Sequence, residues 1–415
     1  MPKISAELRR NILLLYLMNF LENSMYIDAI YVLFGRQFLH LSYLQAGSLI
    51  FIGWYASIVF DFAGGVVADL IGRKRTQMYG LALQFAGFVP YVLTKNYGLL
   101  AVGSLAYGIG LACSSNTLQA LVYEQAREES HATLYQRFNA VSQAWTFAGK
   151  ASAALLGGLA YALDPRLPYG LMLVGLGGAF VACARIQVPK KAEDEVADDK
   201  SHTSIARTAL HTFRGNRQLL YFAVIGLFFG VISELLFSYY QPFYLTFHVS
   251  PLGFGLLYLM FRGASGLGAY IMQHLPNKMG LPQIQLISVA GVGVSALLML
   301  VLRYPAVLFA PLAVGVCIGF GYPALRLFVN AHARDSARAA TLSFATGAMN
   351  LGVGVGLSVT FWMADRYAVP TVLHIILAAT AVTIVMRVGM LEGFWKKLIL
   401  RVGRLRVGAV PLQGD

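Results

Sequence analysis

The sequence predicts an all-α polytopic membrane protein with twelve transmembrane helices in two pseudo-symmetric six-helix bundles. The chain is 57% hydrophobic and only 12% charged, whereas soluble proteins carry about 25% charged residues. Apolar stretches long enough to cross a bilayer, which takes about 20 residues, recur along the whole sequence. The two halves of the chain also repeat a set of polar residues in the same order. Together these three observations favour a duplicated membrane bundle.

Twelve apolar segments can be placed along the chain, and they divide it into four regions. We expect a bundle over 1–188, a cytoplasmic linker over 189–217, a second bundle over 218–390 and a basic tail over 391–415. The linker is rich in charge and poor in large apolar residues, so it cannot bury a core. The predicted spans are 11–35, 43–69, 77–95, 97–123, 135–162, 168–188, 218–247, 252–275, 283–303, 306–332, 339–367 and 370–390.

The distribution of basic residues predicts how the bundle lies in the membrane. Of 32 Lys and Arg residues, 22 fall on the side that holds both termini and 5 on the other side. Cytoplasmic loops carry an excess of Lys and Arg. Both termini are therefore expected in the cytoplasm, which requires an even number of spans. The short loops favour a bacterial inner membrane, and we expect a monomer.

An internal repeat relates the two halves at a nearly fixed offset of about 208 residues. Chance similarity between apolar segments does not explain why polar residues recur in the same order. A repeat about an axis along the membrane normal is a known transporter plan, with the solute site between the halves. The matching segments are His40–Gly47 with His248–Gly255, Asp69–Gly72 with Asn277–Gly280, and Leu118–Val122 with Leu325–Val329.

The loop between the second and third spans carries a recognisable signature. Residues Gly65, Asp69, Gly72, Arg73 and Lys74 are spaced like the glycine–x3–aspartate–basic–x–glycine–basic–basic signature of the major facilitator superfamily. The chain resembles this family in span count, central linker and duplication as well. The resemblance implies that these five residues form a cytoplasmic gate. The other interpretation is a basic loop that only sets topology and contains an ordinary turn glycine.

A weaker resemblance concerns the fifth span, from Gly149 to Gly158. Exporter branches of the family have a glycine–x3–glycine–proline–x2–glycine–glycine pattern there, and three of its five marked positions match. Small residues that permit close helix packing explain the pattern almost as well. Ser104 stands where many proton antiporters of the family carry an arginine, which weakens a transferred proton mechanism.

Acidic residues inside the predicted spans are candidates for proton coupling, because an ionisable group at membrane depth is costly. Glu22 is the first candidate, since it shares a helix face with Met18, Met25 and Tyr26. Glu234 lies at a similar depth in the seventh span. The alternative is that these acids pair permanently with basic residues and only hold helices together. The coupling candidates are Glu22, Asp28, Asp61 and Glu234.

Cationic, aromatic and amide residues near the middle of the spans are candidates for the substrate cavity. If Lys150 and Arg262 face the cavity, they favour an anionic or polar solute. If they pair with the acids, they carry no information about the solute. The cavity candidates are Tyr26, Lys150, Tyr240, Gln241, Arg262 and Arg326.

Enzymatic chemistry finds no support in the sequence. We find no HExxH pattern, no Cys/His cluster and no nucleotide-binding loop. We therefore expect no cofactor and no nucleic-acid partner. The leading hypothesis is proton-coupled export of a small organic solute, drug-like or siderophore-like. The alternatives are proton-coupled uptake of a polar or anionic metabolite, and a non-transporting receptor or lipid scramblase of the same fold.

Overall fold

The computed structural model describes residues 6–114, 132–187, 217–272, 274, 279–332 and 338–386. Twelve long helices follow one another in these ranges and match the predicted spans in order. The predicted tail and the predicted linker lie outside the described residues, except for Arg217, which begins the seventh helix instead of ending the linker. The helices are α1 Ala6–Glu22, α2 Tyr43–Ile71, α3 Arg73–Leu93, α4 Tyr97–Ser114, α5 Ala132–Leu163, α6 Leu167–Arg185, α7 Arg217–Thr246, α8 Pro251–Met272, α9 Leu281–Val301, α10 Leu312–His332, α11 Arg338–Arg366 and α12 Val369–Met386.

The first predicted span is not one continuous helix. Helix α1 ends at Glu22, turns follow up to residue 30, and a short helix at Tyr31–Leu33 runs into a π-helical turn at Phe34–Phe38. The side chain of Asn23 donates to the carbonyl of Asn19 at 2.9 Å, and that of Ser24 to the carbonyl of Phe20 at 2.7 Å. Such side-chain bonds compete with the helical backbone, so the break begins at these residues.

Seven stretches of the described residues are long and apolar enough, by length and composition, to cross a membrane. They lie in α2, α4, α6, α7, α9, α10 (with the preceding turn Ala306–Phe309) and α12.

Close packing of the helices depends on glycine where backbones meet. A Cβ added at Gly149 would lie 2.5 Å from the carbonyl oxygen of Phe20. This contact explains by packing alone why α5 carries a glycine there.

Helices α1–α6 form one bundle and α7–α12 the other, and two helix pairs join them. Helix α2 packs against α11, and α5 packs against α8. In the repeat, α2 corresponds to α8 and α5 corresponds to α11. The α2–α11 pair is therefore equivalent to the α8–α5 pair, as expected for two bundles related by a pseudo-twofold axis. The matched residues His40 and His248 have positive φ angles of 57° and 51°. The repeat predicted from sequence is therefore present in backbone conformation.

The contacts described between the bundles lie toward one end of the molecule. We call the end where α1 begins the proximal end and the opposite end, where α2 begins, the distal end. At the distal end, the Asp365 carboxylate of α11 accepts hydrogen bonds from the backbone N–H groups of Tyr43 and Leu44 at 2.7 and 2.8 Å. Gly158 of α5 lies against the carbonyl of Pro251 of α8. These contacts close the distal seam.

Candidate functional site

The break in the first span lies against α7 of the other bundle. Gln241 is fully buried, and its side-chain carbonyl accepts a hydrogen bond from the backbone N–H of Val32 at 2.9 Å. Its amide donates to the backbone carbonyl of Asp28, also at 2.9 Å. Non-helical backbone at membrane depth is tolerated where protein groups satisfy it. One glutamine from the second bundle thus supports the break in the first.

An ionic cluster spans the two bundles beside this break. The hydroxyl of Tyr258 donates to the Asp28 carboxylate at 2.9 Å and accepts a hydrogen bond from Arg262 Nε at 2.8 Å. Arg262 Nη2 lies 3.8 Å from Asp28 Oδ2. The structural alternative, an acid paired with a base, therefore holds for Asp28 in this conformation. Because the partners belong to different bundles, the pair forms only while the bundles are together.

The Asp28–Arg262 pair borders open space. The two side chains are 32% and 37% exposed, although both lie near the middle of their spans. The guanidinium also lies 4.9 Å from the centre of the Tyr258 ring, a cation–π contact. Lys150 is close enough to interact electrostatically with both Asp28 and Arg262, and it has no ion pair within the described ranges. Glu234 is also within electrostatic range of Arg262, so two acids and two bases lie around this space.

Glu22 lies in a separate cluster within the first bundle. The amide groups of Gln77 and Gln84, both on α3, donate to its two carboxylate oxygens at 3.3 Å each. Gln84 also donates to Ser114 at 2.8 Å. Among the residues that the structure describes, Glu22 has no cationic partner. The Ser114 hydroxyl also bonds to this carboxylate, so two amides and one hydroxyl hold it.

Buried amides around Glu22 are not all satisfied. Gln77 and Gln84 are about 1% and 0% exposed, and the side-chain oxygen of Gln84 has no hydrogen-bond partner. Next to this cluster, Asn19 donates to Ser142 of α5 at 2.5 Å. The arrangement offers fixed donors and acceptors around one carboxylate, which is suited to recognising neutral hydroxyl groups.

Glu234 occupies a third position, on α7. Its carboxylate accepts a short hydrogen bond from Ser238 one turn away, and Ser238 also contacts the hydroxyl of Tyr31 beyond the break. Glu234 lies within electrostatic range of Arg262. Glu234 and Asp28 thus share Arg262 as their nearest described cation, whereas Glu22 stands apart from it.

The remaining candidates lie outside these clusters. Tyr240 donates to the backbone carbonyl of Asp28 at 3.4 Å, so it belongs with the break. Tyr26 is half-buried, and its backbone carbonyl lies against Gly157 of α5. Asp61 and Arg326 are exposed residues of α2 and α10. The described residues contain no group of three or more His, Cys, Asp or Glu side chains that could hold a metal ion.

The predicted gate residues form the turn between α2 and α3. Gly72 has a positive φ of 88°, a conformation that glycine adopts without strain, and this turn separates the two helices. Lys74 Nζ donates to the carbonyls of Ala184 and Ile186 at 2.9 and 2.8 Å, at the end of α6. A cation at a helix C-terminus is stabilising. Only the helical backbone is described for Gly65 and Asp69, and Arg73 begins α3. The gate role remains a prediction.

Several residues of the clusters were not predicted from the sequence, and three of them, Gln77, Gln84 and Tyr258, carry a sequence signal. Gln77 and Gln84 are seven positions apart on one face of an apolar helix, and buried amides in a membrane helix are a detectable signal. Tyr258 precedes Arg262 by one helical turn, which brings the two side chains together. Local spacing does not encode contacts between distant segments. The partner of Gln77 and Gln84 on α1 and the partner of Tyr258 at the break could therefore not be predicted.

Comparisons with known proteins agree with this architecture. The chain is 24% identical over 179 residues to the sucrose permease of Escherichia coli, a match that covers 41% of this chain and 41% of that relative. The nucleoside transporter NupG superposes with a TM-score of 0.76 at 13% identity, over 94% of this chain and 100% of the other. A D-xylose-proton symporter superposes with a TM-score of 0.70 at 13% identity, over 92% and 97%.

The family itself follows from a match that spans most of the sequence. Residues 12–357 match the family model of the Major Facilitator Superfamily. The two-bundle fold, the apolar helices and the ionic cluster between the bundles agree with that match. The chain is therefore a multi-pass membrane transporter and not an enzyme, and it belongs to the Major Facilitator Superfamily.

Proposed function

We propose that the chain takes up a small, neutral, hydroxyl-rich solute together with protons, by alternating access. The observation that carries this proposal is the Glu22 cluster, a carboxyl group inside the bundle that is held by two buried amides and no described cation. Such a group exchanges a proton when its surroundings change, because loss of water disfavours the charged form. Glu22 is thus the proposed coupling group.

The side chains near Glu22 support the proposed solute class. Carboxylate and amide groups together supply both acceptors and donors, and a hydroxyl group can use both at once. The unpartnered oxygen of Gln84 offers a further acceptor. The names of the similar proteins, a sucrose permease, a nucleoside transporter and a D-xylose-proton symporter, point to the same class of solute. A ribose or hexose ring is therefore the substrate element we propose.

The cross-bundle contacts support a rocking mechanism with the distal end outside. Positive charge in the loops favours a cytoplasmic proximal end, so this conformation is proposed to face inward. To open outward, the bundles must separate the Asp28–Arg262 pair and the Asp365 contacts with α2. Lys150 would then stabilise Asp28 after Arg262 moves away. We place the protein in a bacterial inner membrane as a monomer, with both termini in the cytoplasm.

Export is the alternative direction of transport, and the resemblance of the α5 glycines to the exporter pattern favours it. The contacts of Gly149, Gly157 and Gly158 with backbone carbonyls account for these glycines by packing. One of the similar proteins is named a proton symporter, and a symporter under an inward proton gradient moves its solute inward. Uptake is therefore the direction that we propose, and one experiment decides between the two.

Transport into sealed vesicles tests the proposal directly. Purified full-length protein would be reconstituted in liposomes and given radiolabelled uridine, D-xylose or sucrose under an imposed inward proton gradient. We expect accumulation of at least one solute above its external concentration, and abolition of that accumulation by a protonophore. Loss of preloaded solute under the same gradient would support export instead. Lipid exchange between leaflets without flux of any solute would support the scramblase alternative.

A further inference from the structure

A basic cleft opens at the proximal end of the first bundle, away from the Glu22, Asp28 and Glu234 clusters, and it shares Lys74 with the predicted gate. It lies where the ends of α1, α3 and α6 meet, has a volume of about 710 Å³ and is lined by Arg10, Leu14, Lys74 and Arg185, among others. None of the described residues that line it is acidic. These residues therefore bring three positive charges together without a neutralising side chain among them.

Backbone contacts set the positions of two of these cations, Arg10 and Lys74. Arg10 Nη2 donates to the carbonyl of Arg185 at 3.0 Å, and Lys74 bridges two carbonyls at the end of α6. Next to them, Asn11 exchanges hydrogen bonds of 2.8 and 3.1 Å with the backbone of Gln187. The walls of the cleft are thus held before any ligand arrives, which lowers the entropic cost of binding.

The cleft combines polar and apolar walls at the depth of the membrane surface. Leu14 lies one turn into α1 from Arg10, and Ile186 follows the end of α6. A lipid presents the same combination, with a phosphate at the surface and acyl chains below it. Basic pockets between transmembrane helices bind anionic head groups. A guanidinium also forms bidentate bonds with phosphate oxygens.

We propose that this cleft binds the phosphate head group of an anionic membrane lipid. The charge, the fixed cations and the apolar wall all fit a phosphodiester with acyl chains. Binding there would join α1, α3 and α6 and stabilise the first bundle at its proximal end. The proposal is independent of the transported solute and of the direction of transport.

Variants of two arginines test the site, with two neighbouring arginines as matched controls. Arg10→Gln and Arg185→Gln remove charges that line the cleft, whereas Arg9→Gln and Arg75→Gln remove exposed charges at the same end that do not line it. Purified full-length protein in detergent would be titrated with phosphatidylglycerol, with phosphatidylcholine for comparison, and bound lipid counted by native mass spectrometry. Lys74 is left unchanged because it belongs to the predicted gate and holds two carbonyls at the end of α6.

We expect each cleft variant to weaken phosphatidylglycerol binding about fivefold, since one basic residue near the surface contributes about that factor. The control variants should change it less than twofold. Equal losses in all four variants would indicate diffuse surface attraction and overturn the proposal. Displacement of the lipid by millimolar inorganic phosphate, with no dependence on acyl chains, would also overturn it in favour of a soluble anion.

The acidic part of the central linker provides one more decisive variant. Its sequence carries Glu193, Asp194, Glu195, Asp198 and Asp199, shortly after Gln187. Replacing all five by their amides should leave phosphatidylglycerol binding within about twofold of that of the native chain. If the native chain binds no lipid and the amide variant does, the linker is the natural occupant and the proposal is wrong.

Discussion

Glu22 and Asp28 are close in sequence, yet their surroundings give them different chemistry. Asp28 pairs with Arg262 of the other bundle, so its charge is compensated while the distal seam is closed. Glu22 is held by Gln77 and Gln84 within its own bundle. A carboxylate without a counter-ion is protonated more readily than one in an ion pair. This contrast is the reason that we propose coupling for Glu22 and closure for Asp28.

Replacing Glu22 by Gln tests the coupling role. Gln keeps the size of the side chain and its contact with the α3 amides but cannot ionise. We expect accumulation driven by a proton gradient to fall at least tenfold, while exchange of labelled for unlabelled solute across the membrane continues. Both rates would be measured in the same proteoliposomes. Glu7→Gln, an exposed acid on the same helix, is the control, and unchanged accumulation in Glu22→Gln would exclude the role.

A substitution at Gln241 tests whether this residue stabilises the break in the first span. Gln241→Leu fills a similar volume but leaves the N–H of Val32 without its partner, and a buried unpaired donor costs about 2 kcal/mol. The thermal midpoint of the purified protein should drop by several degrees. Gln143→Leu is the matched control, because Gln143 is exposed on α5. An equal drop in both variants would mean that the break does not depend on Gln241.

The first span shows how much an element-level interpretation of sequence can capture. Its apolar length predicts a membrane segment, and the segment from Ala6 to Phe38 is there. Its break is not predicted by hydropathy, because Asn23 and Ser24 are individually tolerated in membrane helices. The break persists because Gln241 and α5 lie against it, and those contacts come from residues more than a hundred positions away. Discontinuous helices commonly form the solute site of transporters.

Asp365 of the second bundle caps the start of α2 in the first bundle. Its counterpart in the repeat, Asp164, makes no such contact between the bundles. The Asp365 carboxylate accepts two N–H groups at the start of α2, where negative charge is favoured by the helix dipole. Asp164 closes the matching span but accepts only from the N–H of Arg166, two residues on. The two acids therefore provide a variant and a control of the same chemistry.

Asp365→Asn should shift the protein toward a conformation open at the distal end, by roughly tenfold in population, because one charge-assisted pair of bonds is weakened. Spin labels at Leu93→Cys and Val301→Cys, exposed distal ends of α3 and α9, would report the distance between bundles. We expect Asp365→Asn to lengthen these distances relative to the native protein. Asp164→Asn should leave them unchanged. Identical distance distributions in both variants would show that the cap does not hold the seam.

At the scale of the whole molecule, the duplication made the fold predictable. Twelve apolar segments, one central polar stretch and the repeated His–x–Ser pattern were sufficient to predict two equivalent bundles. His40 and His248 then adopt the same left-handed backbone, and the paired contacts α2–α11 and α5–α8 exchange under the repeat. The contacts of Glu22, Asp28 and Arg262 could not be predicted from the repeat, because these residues have no charged counterparts at the same offset. Symmetric bundles thus carry an asymmetric set of charges.

The conformation of the whole molecule can be tested with two glycines that have free space around them. A Cβ at Gly266 or Gly170 meets nothing within 4 Å. Gly266 lies one turn beyond Arg262 on the same face of α8, toward the proximal end, and Gly170 lies near the distal start of α6. After replacement of Cys113, Cys183 and Cys317, a single cysteine is placed at either position and treated with a membrane-impermeant maleimide.

If the space between the bundles opens to the cytoplasm, Gly266→Cys should react in inside-out vesicles and remain protected in right-side-out vesicles. Gly170→Cys should show the reverse, because it lies at the distal end. Addition of a transported solute should slow labelling at Gly266→Cys, since rocking of the bundles closes the proximal opening. Labelling of Gly266→Cys only from the outside would reverse the proposed orientation, and equal labelling from both sides would rule out alternating access in favour of an open pore.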